Sequence, residues 1–189
     1  FSGEKGDWGA LAIQGRAVYS GAFDEDSHDE LQLQLYNAYF KYKAGIADLW
    51  MGHNRIPFGL GSYLDSHALL LQPLAMRGYG YDRDWGVGAT HDFQWGDASL
   101  ALSTGSGMRL DFDGNYLVSG RVSRGVLSQD NYNIGISTSI GQPLDTMGYE
   151  KVMPDPVETR LVGTDMTYLW NRLENRLEGA VGEKDDQET

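Results

Sequence analysis

Residues 84–95 read DWGVGATHDFQW, and their alternation decides the fold. Apart from His91, every second residue from Trp85 to Trp95 is apolar or aromatic, and the residues between them are small or polar. A period of two predicts a β-strand, because successive side chains of a strand point to opposite faces. A soluble sheet usually turns Lys, Glu and Thr toward water, but here and in most later strands the second face carries mainly Gly, Ser, Asn and Thr. An apolar face opposite a small, polar face is typical of a transmembrane β-barrel.

The same alternation recurs along the chain and predicts about nine strands joined as a meander. We expect them near residues 9–23, 31–43, 46–55, 84–95, 98–104, 116–124, 132–140, 159–171 and 172–182. In the second strand the apolar phase shifts near Tyr36, which indicates either a β-bulge or a strand end there. The prediction is an all-β fold, an antiparallel up-and-down transmembrane β-barrel, with residues 1–189 as a single domain.

Connections of two lengths alternate along this meander. Short turns are expected at 44–45, 96–97 and 125–131, and longer connections at 24–30, 56–83, 105–115 and 142–158. Barrels of bacterial outer membranes have short periplasmic turns and long external loops. The longest connection, 56–83, is expected to be functional or mobile, as long irregular connections usually are.

The bulk composition excludes several classes of protein. The longest apolar runs, such as residues 68–71, fall far short of the roughly 20 residues of a transmembrane helix, whereas a barrel strand needs only about 9–11. A formal net charge of −12 disfavours nucleic acid, which is bound chiefly by Lys and Arg. The chain has no cysteine for disulfides or covalent haem, and its four histidines lack metal-ligand spacing. We therefore expect no cofactor, no metal and no nucleic-acid partner.

Enzymatic activity is not expected either. Ser66 and His67 beside Asp65 form the only local candidate for a nucleophile and its base. Neighbours in sequence do not point at one another in space as the members of a catalytic triad must.

Four pieces of sequence between residues 36 and 89 carry a resemblance to a known family. They are Asn37-Ala38-Tyr39 with Tyr42-Lys43, Met51-Gly52-His53-Asn54-Arg55, Ile56-Pro57-Phe58-Gly59 and Arg83-Asp84-Trp85-Gly86-Val87-Gly88. Together they resemble the phosphate-selective porin O/P superfamily and related Gram-negative porins. In that family the Pro-Phe-Gly element leads into a loop that folds into the pore and narrows it. The resemblance therefore implies a constriction loop within 56–83, at residues 62–81.

The resemblance also implies a location and an assembly. Members of this family form barrels of about 16 strands in the bacterial outer membrane, often as trimers. We therefore expect contact with membrane lipid and lipopolysaccharide, and a homotrimer. Because 189 residues are too few for such a barrel and the last residues, DDQET, lack a terminal aromatic side chain, we expect an incomplete barrel from a longer protein.

Charged residues in the long connection and on the last strand are candidates for the pore lining. In the connection two arginines face three acidic residues, Asp65, Asp82 and Asp84, and the last strand carries a charge at every second position, which predicts a ladder on one face. Such a mixed lining favours general diffusion or cation preference over phosphate selectivity. The candidate lining residues are Asp65, Arg77, Arg83, Arg121, Arg172, Glu174, Arg176 and Glu178.

The predicted function is a water-filled channel for passive diffusion of ions or small hydrophilic solutes. One alternative is a porin-like sheath around a separate multihaem cytochrome in an electron conduit, since the chain has no cysteine to attach haem itself. The other is a soluble β-sandwich binding module, whose strands also alternate.

Overall fold

The computed structural model describes residues 2–4, 8–20, 30–64, 74–77, 81–147, 150–153 and 155–185. Its strands are β1 (Ser2–Glu4), β2 (Gly9–Ser20), β3 (Glu30–Lys43), β4 (Asp48–Arg55), β5 (Arg83–Phe93), β6 (Gly96–Ser103), β7 (Tyr116–Arg124), β8 (Tyr132–Gln142), β9 (Thr146–Met147), β10 (Glu150–Lys151), β11 (Glu158–Trp170) and β12 (Leu173–Asp185). Short helical turns lie in the connections, at Leu60–Ser62, Leu74–Arg77 and α1 (Leu127–Asp130). None of the described helices is long and apolar enough to cross a membrane.

Ten of the described strands form one sheet in the order β1-β2-β3-β4-β5-β6-β7-β8-β11-β12, each antiparallel to its neighbours. This confirms the predicted antiparallel up-and-down arrangement. The sheet is open, with β1 and β12 as its edges. The strands β9 and β10 form a separate hairpin between β8 and β11. The alternation did not predict it because two-residue strands are too short to show a period.

The predicted phase shift at Tyr36 is confirmed as a β-bulge. Gln14 pairs with Asn37, but the next residue, Gly15, pairs with Leu35, so Tyr36 is an extra residue in β3. An extra residue reverses the side on which later side chains emerge. Leu33 and Phe40 are therefore both exposed, although an odd number of positions separates them.

All the short connections leave from one end of the sheet and all the long ones from the other. By chain length between strands, the short ones are 5–8, 44–47, 94–95, 125–131 and 171–172, and the long ones are 21–29, 56–82, 104–115 and 143–157. Successive connections of a meander leave from opposite ends of the sheet. Because short and long connections alternate strictly along the chain, all the short ones lie at one end and all the long ones at the other. The turn expected at 96–97 is formed by residues 94–95, and Gly96 already belongs to β6.

One face of the sheet is polar and buried, and the other is apolar and exposed, which is the opposite of the arrangement in a soluble sheet. In β8 the buried side chains are small or polar and alternate with Ile134, Ile136 and Ile140, which are 45%, 66% and 52% exposed. The strands β7 and β11 repeat the pattern, with Ser119, Ser123 and Thr167 buried. A soluble sheet packs its apolar face against the core and turns its polar face to water. Here the apolar face is the exposed one.

Aromatic side chains gather on the exposed face at the short-turn end. Phe93 and Trp95 stack beside the 94–95 turn with ring centroids 4.7 Å apart. The ring centroids of Trp8 and Tyr42 are 6.4 Å apart, and Tyr42 comes shortly before the 44–47 turn. The exposed aromatic residues near these turns are Trp8, Phe40, Tyr42, Phe93, Trp95, Tyr168 and Trp170. Such a row is typical of a surface at the boundary between an apolar and a polar medium.

Candidate functional site

The connection that follows β4 folds back across the polar face of the sheet. Its first residues are apolar and buried, with Ile56 and Phe58 each 1% exposed. The backbone N–H of Gly59 donates to Ser137 Oγ of β8 at 2.9 Å. Phe58 lies against Gly163 of β11, where an added Cβ would come within 2.9 Å of the ring. Residues 56–64, here named the inward segment, therefore cover the polar face of the last strands.

A buried ion pair lies on the polar face beneath the inward segment. The side chains of Arg121 on β7 and Asp165 on β11 are 2% and 0% exposed. Two hydrogen bonds join them, Nε to Oδ2 at 3.0 Å and Nη2 to Oδ1 at 2.7 Å. Arg121 Nη2 also donates to Asn133 Oδ1 at 2.6 Å, and Nη1 lies 3.4 Å from Asp97 Oδ2. The guanidinium is thus held by a bidentate carboxylate, an amide and a second carboxylate.

Tyr63 connects this cluster to the inward segment. Arg121 Cζ lies 4.8 Å from the centroid of the Tyr63 ring. The Tyr63 hydroxyl lies 2.8 Å from Thr167 Oγ1 and donates to Asp165 Oδ1 at 3.5 Å. Burial raises the pKa of the Tyr63 phenol, so the hydroxyl keeps its proton and remains a donor at neutral pH. The loop and the buried ion pair therefore form one packed unit.

The pair also requires a glycine on the neighbouring strand. A Cβ added to Gly135 of β8 would lie 2.5 Å from both Arg121 Nη2 and Asp165 Oδ2. That distance is shorter than a normal non-bonded contact, and both groups are held by their mutual hydrogen bonds.

Arg83, a predicted lining residue, is buried at the long-connection end of the sheet. Its side chain is 1% exposed and forms an ion pair through Nη1 with Asp82. Nε donates to Asn37 Oδ1 at 3.0 Å, and the guanidinium lies 3.7 Å from the centroid of the Tyr36 ring. These contacts tie β5 to β3.

The structure does not bring Arg83 and Arg121 together. Strand register aligns Arg121 with Ser99 and Ser99 with Thr90, so Arg121 lies at the level of Thr90 in β5. Arg83 is seven residues earlier in β5, which is about 23 Å along the strand.

Asp84, expected near the lining charges, instead organises the connection between β6 and β7. Its side chain is completely buried. It accepts hydrogen bonds from the N–H groups of Ser106 at 3.2 Å and Gly107 at 3.0 Å, and from Thr104 Oγ1 at 2.9 Å. A carboxylate that accepts several such bonds is well satisfied although it is buried.

The predicted ladder on the last strand is shorter than expected. Glu178 pairs in register with Asp165, and Arg176 with Thr167, so the β12 charges share the polar face with the buried pair. Glu174 and Arg176 form an ion pair at 2.7 Å. Arg172 lies in the turn, because β12 begins at Leu173.

Two other predicted lining residues are described in part or not at all. Asp65 lies outside the described residues. For Arg77 the structure describes the backbone, which ends the helical turn Leu74–Arg77.

The sequence identified Arg121 but not the residues that hold it, Asp165, Asp97 and Asn133. A usable signal existed, since Asp165 is the only charged residue at the polar-phase positions 159 to 169 of β11. A charge among Thr and Gly on a covered face needs an opposite charge close by. The identity of that partner depends on strand register, which periodicity does not encode.

Among the described residues, no group of three or more His, Cys, Asp or Glu side chains could hold a metal ion. Comparison of the chain with protein-family models, with curated proteins and with solved structures found no match. A function for this chain is therefore inferred from its fold and its site.

Proposed function

We propose that this sheet forms part of the wall of an outer-membrane β-barrel porin, through which ions or small hydrophilic solutes diffuse passively. The observation that carries the proposal is the reversed polarity of the sheet, with Ser, Thr, Asp and Arg buried and Leu, Ile and Val exposed. Barrel strands in a membrane alternate in this way, apolar toward lipid and polar toward the interior.

A soluble β-sandwich accounts less well for the same surface. In a sandwich the apolar faces of two sheets pack together and form the core. Here the outward side chains Leu100, Val122, Ile136 and Val162 are each more than half exposed, while Arg121 and Asp165 are buried. Lipid acyl chains are a solvent in which such an apolar face is stable.

Strand length and connection length support the same proposal. A membrane strand needs about 9–11 residues, and β5, β7 and β8 have 11, 9 and 11. Short turns at one end and long connections at the other are the arrangement of outer-membrane barrels. The aromatic row at the short-turn end fits the membrane–water boundary.

Selectivity in such a channel comes from its width and from the charges that line it. The inward segment on the polar face is the element that would narrow the channel. Three of the candidate arginines have carboxylate partners: Arg83 with Asp82, Arg121 with Asp165, and Arg176 with Glu174. Paired arginines attract anions weakly, so we propose general diffusion with weak ion preference. Phosphate selectivity, which the family resemblance alone would imply, is not part of the proposal.

The partners follow from the same proposal. Outer-membrane lipid and lipopolysaccharide would meet the exposed face, and a homotrimer is the assembly that such porins often form. The proposed activity is transport without a chemical step.

The experiment that tests the proposal is a planar-bilayer recording of the purified full-length protein. We expect discrete conductance steps. A silent bilayer with protein that is folded by circular dichroism would refute the channel.

A matched pair of variants tests the orientation of the faces. Leu100 lies on the exposed face of β6, and Thr90 lies on the opposite face of the adjacent strand β5. Leu100→Arg should reduce insertion into vesicles, because an arginine facing lipid near the bilayer midplane costs about 2–4 kcal/mol. Thr90→Arg should insert normally and change the conductance. Equal insertion of the two variants would contradict the assignment of faces.

A further inference from the structure

A single carboxylate on the edge strand holds two separate points of the long connection. Glu178 Oε1 accepts a hydrogen bond from the backbone N–H of Leu60 at 2.9 Å. Its other oxygen, Oε2, accepts one from the backbone N–H of Leu74 at 2.8 Å. Leu60 belongs to the inward segment, and Leu74 begins the helical turn Leu74–Arg77. Both oxygens of one side chain are therefore engaged by backbone on either side of residues 65–73.

The packing around Glu178 leaves its carboxylate little freedom. Gly59 has a φ of +55° and a ψ of −153°, a combination that is accessible essentially to glycine alone. A Cβ at Gly59 would collide with Glu178 Oε1. The carboxylate thus lies directly against the loop backbone, and its position and that of the loop depend on each other.

The neighbouring acidic residue on the same face of the strand behaves differently. Glu174 has its Oε1 engaged by Arg176, with Nε at 2.9 Å and Nη2 at 2.7 Å. No hydrogen bond joins Glu174 to the described part of the connection. The sequence proposed both glutamates as lining charges, but in the structure Glu178 contacts the loop backbone whereas Glu174 pairs with Arg176.

We propose that Glu178 is a positioning residue that clamps both sides of the constriction loop to the wall, and so sets the width of the channel. It is not a free charge that selects ions. The inference rests on the proposed channel function. Because one carboxylate accepts hydrogen bonds from the N–H groups of both Leu60 and Leu74, its removal releases both at once.

Hydrogen exchange of the folded protein in detergent micelles tests the clamp without reference to conduction. In Glu178→Gln one oxygen is replaced by an NH₂ group, which cannot accept a hydrogen bond from a backbone N–H. We expect amide exchange at Leu60 and Leu74 to become at least tenfold faster, and exchange in Glu174→Gln to match the wild type. Unchanged exchange at both leucines in Glu178→Gln would overturn the clamp.

Single-channel recording tests the effect on width, and a third variant separates position from charge. Glu178→Asp keeps the charge but shortens the side chain by one methylene, so it cannot hold both amides at hydrogen-bond distance. A clamp predicts altered conductance and more frequent substates in Glu178→Asp and Glu178→Gln, with Glu174→Gln normal. If Glu178→Asp conducts like the wild type while the two Gln variants shift ion preference equally, Glu178 is a lining charge and the inference is wrong. Should Glu178→Gln fail to fold, Glu178→Asp carries both measurements.

The two proposals fail in distinguishable ways. A silent wild-type bilayer overturns the channel, and with it the role of Glu178 in setting its width. Normal wild-type conductance with unaltered Glu178 variants overturns only the inference.

Discussion

Replacing Asp165 with Asn should destabilise the fold strongly, although the change is nearly isosteric. The variant keeps the shape of the side chain but leaves the Arg121 guanidinium, 2% exposed, without its bidentate partner. The NH₂ group of the introduced asparagine would then face an N–H group of Arg121. Both groups are donors, so one of the two hydrogen bonds is lost. Asp97 remains 3.4 Å from Arg121 Nη1 and is the only other carboxylate of the described residues in contact with it.

The expected loss is about 3 kcal/mol. Removing one partner of a buried ion pair costs about 3–5 kcal/mol, because an uncompensated charge is left behind. The lower end of that range applies here, since Asp97 still offsets part of the Arg121 charge. Two charge-assisted hydrogen bonds at about 1.5–3 kcal/mol each lead to the same magnitude.

The measurement is urea unfolding in detergent micelles, followed by tryptophan fluorescence. With a slope of about 2 kcal/mol per molar urea, a loss of this size lowers the midpoint by about 1.5 M. The matched control is Asp92→Asn, which removes the same charge at an exposed position of β5 and should change stability by less than about 0.5 kcal/mol. Equal midpoints for the two variants would refute the reasoning.

A double variant checks the physical cause. Arg121→Met with Asp165→Asn removes the unpaired charge as well as the pair, and should be more stable than Asp165→Asn alone. Strict additivity of the two single losses would show that the residues do not interact.

Other predictions concern the packing beneath the pair and the pH range of one connection. Gly135→Ala should destabilise as Asp165→Asn does, since its Cβ would lie 2.5 Å from both charged groups, and an unfolding midpoint equal to that of the wild type would contradict this contact. Lys151 Nζ lies 2.7 Å from Asp111 and 2.8 Å from Asp113, and this contact docks the β9–β10 hairpin on the connection before β7. The hydrogen bond from Lys151 lowers the pKa of Asp111, and the same bond raises the pKa of Lys151. The contribution of the Asp111 charge to stability is therefore complete above about pH 4 and is lost as pH falls through its lowered pKa. The contribution of the Lys151 charge is complete below about pH 10 and is lost as pH rises through its raised pKa. Amide chemical shifts of residues 111–113 should be constant between these limits and change beyond them, and Lys151→Met should abolish the acid-side change.

Much of the fold could be predicted because strand structure is encoded locally. In residues 84–95 the polarity of each side chain indicates the face on which it lies, and the length of the alternating run shows where the strand lies. The bulge at Tyr36 was visible for the same reason, as a break in phase. Turn positions were displaced by up to two residues, as at 94–95, because a turn residue such as Gly96 also fits the first position of a strand.

The candidate site was less predictable because its residues come from distant parts of the chain. The sequence marks Arg83 and Arg121 alike as candidate lining charges. In the structure Arg83 is held by Asp82 and Asn37, whereas Arg121 is held by Asp165 about 23 Å further along the strands. Nothing in the local pattern shows which residues of other strands enclose each arginine.

The amino-acid chain alone indicated most of the strands and their two faces, since both depend on side-chain direction over a few consecutive residues. The folded structure was needed to show that Arg121 meets Asp165, 44 positions away, and that Glu178 meets Leu60, 118 positions earlier. Those contacts arise from the register of β7, β8, β11 and β12 and from the path of residues 56–64 across them. Both are long-range properties, fixed by how strands pair and how a loop packs, and no period in the sequence carries them.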